Sequence, residues 1–144
     1  MLSFAITARS AAAPERVFAV VADAARWREW AGPLIWRSSW EREGDPPPGG
    51  VGAIRRLGSS RIYSREEVVS YQPPYRLGYV ILSGQPVRGY RADIELAADG
   101  SGTLIQWRAS FEPKVAALGP LIRWYLAVIV GGFARRLARR AAED

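Results

Sequence analysis

The sequence predicts an α+β domain: a curved antiparallel sheet of about seven strands covered by a long C-terminal helix, with two short helices after the first strand. Three observations predict it. Residues 115–140, VAALGPLIRWYLAVIVGGFARRLARR, carry Leu118, Ile122, Tyr125, Ile129 and Phe133 at steps of three and four, a spacing that puts side chains on one helix face. Several runs before it alternate apolar with polar residues, the period of a strand. Short segments rich in Gly and Pro join these runs, which favours antiparallel neighbours.

The elements follow in order. In residues 3–10, Phe4, Ile6 and Ala8 alternate with their neighbours. Pro14 stands where a helix can begin, with Glu15 in its first turn and Val17, Phe18 and Val21 on its apolar face. Asp23 is placed to cap a second short helix carrying Trp27 and Trp30, which Gly32 and Pro33 end. A strand is expected from 34 to about 42, and EGDPPPGG at 43–50 is a loop. Residues 51–57, 61–71, 76–83, 87–97 and 103–112 read as further strands. The alternation is clearest where Tyr90, Ala92, Ile94 and Leu96 share one side, and again for Ile105, Trp107, Ala109 and Phe111. Asp99-Gly100-Ser101-Gly102 is a hairpin loop between these two. No repeat, low-complexity tract or linker divides the chain, so residues 1–144 are expected to be one domain.

The long helix would be roughly 40 Å at ~1.5 Å per residue. Three roles are open to it: a core helix gripped by the sheet, a membrane-surface or membrane-spanning helix, or an interaction helix. A span needs ~20 apolar residues, and Pro120, Arg123, Gly131 and Gly132 interrupt the run. Trp124, Val128 and Val130 lie off the main stripe and offer a face to a partner or to a second copy in a homodimer. Arg135, Arg136, Arg139 and Arg140 close the helix, suit its dipole, and offer weak attraction to anionic lipid.

The chain has no cysteine and no histidine. Disulfides, thiolate chemistry, Ser-His-Asp and Cys-His arrangements and His- or Cys-based metal sites are thereby excluded. No metal or cofactor is expected, and any acid-base chemistry falls to Asp, Glu, Tyr, Lys or Arg. The net charge is +6, but its basic residues are not concentrated with aromatics as a nucleic-acid binder would have them. No secretory signal is visible in MLSFAITARS, and with the missing cysteines this points to the cytoplasm.

Four stretches together resemble the polyketide cyclase/dehydrase and lipid-transport superfamily, the SRPBCC and START-like proteins. APERVFAVVADAARWREW (13–30) is similar to the family's Pro-x-x-x-Val-[Phe/Trp] helix with paired tryptophans. PGGVGAIRRL (48–57) is similar to its Gly-x-x-Gly strand entry, SREEVVSYQPPYRLGYVILSG (64–84) to its Arg-Glu strand, turn and Tyr-containing strand, and GSGTLIQW (100–107) to its Gly-Thr-x-x-x-Trp strand. The resemblance spans nearly the whole chain and implies a helix-grip fold with a cavity between sheet and helix. Its members bind or carry hydrophobic molecules, cyclise polyketides, act as hormone receptors or assist chaperones, so a shared fold does not single out one function.

Helix-facing strand residues would line such a cavity: Tyr79, Ile81, Tyr90, Ile94, Ile105 and Trp107, with Ile122, Tyr125 and Ile129 from the helix. The alternative is that they fill a solid core. Glu66 sits where the resemblance implies a carboxylate in the cavity; there it would hold a ligand hydroxyl or act as an acid or base. Against this, Glu66 and Glu67 face opposite ways, and the outward one would pair with an arginine such as Arg65 or Arg91. Arg55 or Arg56 must point inward, and an inward arginine needs a partner, for which Glu66 is available. The phenols of Tyr79, Tyr90 and Tyr125 either donate to a ligand carbonyl or serve as core aromatics. The leading expectation is binding or transport of a hydrophobic small molecule such as a lipid, polyketide or isoprenoid. The alternatives are a cyclase or aromatase working with Glu66, Tyr and Arg, and a membrane-associated or oligomeric scaffold.

Overall fold

The computed structural model describes residues 1–143. Strand β1 (Leu2–Ser10) leads into helix α1 (Pro14–Ala22) and a 3-10 helix (Ala24–Glu29). Six strands follow: β2 (Arg37–Arg42), β3 (Ile54–Gly58), β4 (Tyr63–Gln72), β5 (Arg76–Ser83), β6 (Val87–Asp99) and β7 (Gly102–Pro113). A short turn (Ala116–Leu118) then enters α2 (Gly119–Ala142). All seven strands form one antiparallel sheet in the order β1-β7-β6-β5-β4-β3-β2. The order follows from the short connections: each strand from β2 to β7 pairs with the next, and β1 returns to the free edge of β7.

One sheet face is apolar because its strands alternate. Tyr90, Ala92, Ile94 and Leu96 of β6 and Ile105, Trp107, Ala109 and Phe111 of β7 are buried, while Arg91 and Arg108 between them are exposed. Val17, Phe18 and Val21 of α1 are buried against the same core. Asp23 does not cap the 3-10 helix as expected; its side chain makes no capping hydrogen bond. The helix is instead held by its aromatics: Trp27 is fully buried and its indole N–H donates to the Val21 carbonyl at 2.9 Å. The strand expected from residue 34 begins only at Arg37, because the chain turns through residues 33–35 before entering the ladder.

Helix α2 lies mainly along β1 and β7, but not on the expected stripe. Ile122, Leu126, Val130, Ala134, Leu137, Ala138 and Ala141 are its buried side chains. Leu118 belongs to the preceding turn and is exposed, as is Tyr125, while Ile129 and Phe133 are half-buried. Val130, expected off the contact face, is 4% exposed. The reason is backbone approach. Gly131, Ala134 and Ala138 let the helix sit close to the sheet, with the Gly131 position facing Ile6, while Gly132 faces the Arg136 side chain. Apolar periodicity weights large side chains and overlooks such small ones.

Turns around the eventual site depend on two glycines. Gly84 has φ +98°, and a Cβ there would lie 2.0 Å from the Tyr63 carbonyl oxygen. Gly58 has φ +150°, and its Cβ would lie 2.4 Å from the Ile62 carbonyl oxygen. Gly84→Ala is therefore expected to destabilise the protein by about 1–3 kcal/mol, through left-handed strain and displacement of the β4 entry. Urea unfolding checks this against Gly100→Ala, where the turn also needs a positive φ (+62°) but nothing stands within 4 Å of the new Cβ.

Candidate functional site

The polar centre of the interior begins with a strand pairing. In the β3–β4 ladder Arg55 stands opposite Glu66, and Arg56 opposite Arg65. Alternation then turns Arg55 and Glu66 inward and Arg56 and Arg65 outward. Arg55 is fully buried, with its guanidinium 5.0 Å from the Trp27 ring centroid and 4.7 Å from that of Tyr79. Two aromatic faces thus replace part of its hydration. Its Nε donates to Glu66 Oε1 at 3.1 Å. Nη2 is 3.0 Å from the same oxygen but poorly aligned for a hydrogen bond, so Nη1 and Nη2 have no hydrogen-bond partner.

Glu66 is thus inward, and neither Arg65 nor Arg91 is its partner: Arg65 pairs with Glu41 and Arg91 with Asp93. Burial pushes the Glu66 carboxyl above the usual carboxylate range, against the opposing pull of Arg55. Glu67 faces outward, 3.5 Å from Arg42. Tyr79 and Tyr90 lie side by side, ring centroids 6.2 Å apart, and the Trp107 indole N–H donates to the Tyr79 hydroxyl at 3.2 Å. Burial raises the Tyr79 hydroxyl, with the Glu66 charge adding to it. Burial also raises Tyr90, helped by Tyr79. Both phenols stay protonated at neutral pH and are hydrogen-bond donors, not bases.

On the outer face, Arg65 and Arg56 hold Glu41 down at about 2. A folded value below the ordinary 4.5 means that this contribution is complete above that pH and is lost as pH falls from there towards about 2. Glu41→Gln is expected to remove that part of the acid sensitivity, seen as a flatter loss of stability in urea titrations across the window.

A cavity of about 160 Å³ opens beside this polar centre, where β3, β4 and β5 stand away from the helix. Glu66, Tyr79, Ile81, Tyr90, Tyr125 and Ile129 line it, so the fold brings these predicted residues together. Ile94, Ile105, Trp107 and Ile122 do not line it. The first three are fully buried on β6 and β7, where α2 and α1 close directly on the sheet, and Ile122 is buried outside the cavity. For these four positions packing is solid. Arg55 also stays behind the wall, and reaches the cavity only through Glu66 and Tyr79.

Several lining residues escape a pattern-based reading. Leu57 shares the inward parity of Arg55. Leu126 and Val130 flank the expected helical stripe, and Phe133 belongs to that stripe but is not among the residues expected at the cavity. Leu34, Ile35 and Ile62 sit in turns, where no period marks them. Gln85 donates to Ser64 Oγ at 2.7 Å, adding a neutral polar pair to the wall. The opening lies among Leu34, Ile62 and Tyr125, which line the cavity and are also exposed.

A seven-stranded antiparallel sheet closed over a C-terminal helix, with an apolar space between them, defines a helix-grip protein, and the cavity suits a hydrophobic guest. The comparisons agree. The chain belongs to the polyketide cyclase / dehydrase and lipid transport family, whose model matches residues 1–142. Among solved structures it is similar to a START superfamily protein from Mycobacterium smegmatis, with a TM-score of 0.81, 17% identity, and 96% of each chain covered. It is similar to Ara h 8.0201, with a TM-score of 0.79, 15% identity, and 99% of each chain covered. The XoxI protein from Bacillus cereus superposes with a TM-score of 0.77 at 18% identity, over 99% of this chain and 97% of that one. At such identities these likenesses speak for the fold. A search of curated proteins finds no match.

Proposed function

We propose that this protein binds a hydrophobic small molecule carrying one polar group, and holds or transports it in the space beneath α2. The observation that carries the reading is the division of the cavity wall. Leu57, Ile81, Leu126, Ile129, Val130 and Phe133 supply apolar surface, while Glu66, Tyr79 and Tyr90 supply a carboxyl and two buried phenols, and Ser64 and Gln85 satisfy each other. Mostly apolar pockets with few convergent polar groups are the usual form of small-molecule sites. Size narrows the guest. A closed cavity of ~150 Å³ holds a benzene ring, so about 160 Å³ accommodates one ring or a short chain, with the remainder of a larger lipid, polyketide or isoprenoid extending through the mouth. Proton transfer is less well supported than binding: the phenols are held protonated, and Glu66 is engaged by Arg55. The cytoplasm is the proposed location.

Native mass spectrometry of freshly purified protein tests the reading, together with titration of an anilinonaphthalene sulfonate probe. A retained nonpolar mass or saturable probe binding is expected, and Ile129→Trp, which fills the space, should abolish it while the far-ultraviolet dichroism stays the same. A clean apo mass combined with no saturable probe binding by the wild type would sink the reading.

A further inference from the structure

We infer that the rim of the cavity mouth, with the adjoining half of α2, is a docking face for an anionic lipid surface, and that the guest is exchanged there. The exchange role rests on the binding function proposed above; the docking is measured independently. Residues 116–142 are long and apolar enough to cross a membrane, yet only 33% of their most apolar window is buried. The exposed remainder is ordered. Leu118, Leu121, Trp124, Tyr125 and Val128 are 45%, 60%, 64%, 43% and 52% exposed and recur at steps of three and four. They form one solvent-facing stripe. Tyr125 also lines the cavity, so the stripe continues across the mouth to Leu34 and Ile62, at 55% and 79% exposure. Such a contiguous apolar face, joined to a ligand opening, marks a contact surface.

Charge identifies the partner. Residues 33–37, 58–63, 83–87 and 114–130 build this end of the molecule, and they contain Arg37, Arg61, Lys114 and Arg123 and no carboxylate. All four cations are exposed, and none forms an ion pair among the described residues. Elsewhere carboxylates lie among the surface arginines, as in Arg9–Asp99, Arg65–Glu41 and Arg76–Asp93, although Arg16, Arg28, Arg88, Arg135 and Arg139 are also exposed and outside any ion pair among the described residues. Apolar side chains among unpaired cations match the boundary of an anionic bilayer, where acyl chains lie below negative headgroups. A second copy fits less well, because a twofold contact sets a patch against itself and would bring these cations together.

The arginine-rich end of α2 is not this face. Arg140 is tied to Glu29, the Arg136 guanidinium lies over Gly32 beside the Ala31 carbonyl, and the side chains between these arginines are buried Leu137 and Ala138. That end has charge but no exposed apolar anchor.

Flotation with mixed phosphatidylcholine–phosphatidylserine vesicles, against pure phosphatidylcholine, tests the inference on the full chain. The wild type is expected to float with the mixed vesicles only. Arg61→Glu/Arg123→Glu and, separately, Trp124→Ser/Val128→Ser should each lower the bound fraction roughly tenfold or more. Arg135→Glu/Arg139→Glu should change it little. All variants should keep the probe binding of the wild type in vesicle-free solution. No flotation of the wild type, or an equal loss in the Arg135/Arg139 variant, would overturn the inference. So would a dimer in analytical ultracentrifugation that Trp124→Ser/Val128→Ser dissociates, which would assign the face to a second copy. Flotation without any probe binding would leave the docking face standing and remove the proposed guest.

Discussion

Glu66→Ala is expected to destabilise this protein by about 3–5 kcal/mol, a large part of a typical domain's stability. The cause is what it leaves behind. Arg55 is fully buried, its Nε bonds only to Glu66, and Nη1 and Nη2 already lack hydrogen-bond partners. The faces of Trp27 and Tyr79 partly compensate the charge but accept no hydrogen bond of ordinary strength. Without the carboxylate, a guanidinium that cannot lose its proton is stranded in the core. Replacing both partners removes that penalty, so Arg55→Met/Glu66→Leu should recover most of the loss. Urea denaturation of the two single variants and the double variant gives the coupling directly. Additive losses in the double variant would contradict the account.

The same pair sets a pH dependence of opposite sign to that of Glu41. Burial places the folded Glu66 value above the ordinary 4.5. The native state therefore binds this proton more readily than the unfolded chain does. Stability from this group falls as pH rises from 4.5 through the raised folded value, and is restored on acidification to 4.5. Glu66→Gln should eliminate that slope while leaving the one below 4.5, which belongs to Glu41. Comparing the pH profiles of the wild type and this variant separates the two carboxyls.

Trp27→Ala is expected to cost about 3–5 kcal/mol. Trp27 contacts the rings of Trp30, Phe133 and Trp107, with centroid distances of 4.9, 5.4 and 6.1 Å, and covers one side of Arg55. It joins the 3-10 helix, the sheet and α2 in a single packing unit. Its loss opens a cavity, unpairs the Val21 carbonyl and exposes the guanidinium at once. Trp27→Phe keeps most of the contact and loses the N–H, so about 1–3 kcal/mol is expected. Trp124→Ala, at a residue 64% exposed, should stay within about 0.5 kcal/mol. Equal effects of the Trp27 and Trp124 substitutions in urea unfolding would refute this division.

The strands were legible where one face is buried and the other wet. In β6 and β7 the alternation is regular, so both the elements and their inward residues follow from residue type. Strand β4 is harder. Its ladder with β5 has register irregularities between Arg65 and Glu66 and between Val68 and Ser70. Those irregularities leave the alternation over Ser64, Glu66 and Val68 intact, but the like neighbours Glu66-Glu67 and Val68-Val69 put the same residue types on both faces, so residue type does not say which face is inward. The turn residues Leu34, Ile35 and Ile62 reach the cavity only because the chain folds back there, and no period announces them. Trp27 and Trp124 are the same residue type, and only their placement separates a buried anchor from a surface contact.

By itself the amino-acid sequence determined the α+β class, the order of helices and strands, and the exclusion of thiol, imidazole and disulfide chemistry. These depend on composition and on local period, which are properties of the chain before it folds. Tertiary structure alone decided the phase of α2, the inward turn of Arg55 and Glu66, and the exclusion of Ile94, Ile105, Trp107 and Ile122 from the cavity wall. Those outcomes depend on how closely the helix backbone approaches β1 and on which residues face each other across strands. Both are set by contacts between segments far apart in the chain, where small residues such as Gly131 and Ala134 count as much as large ones.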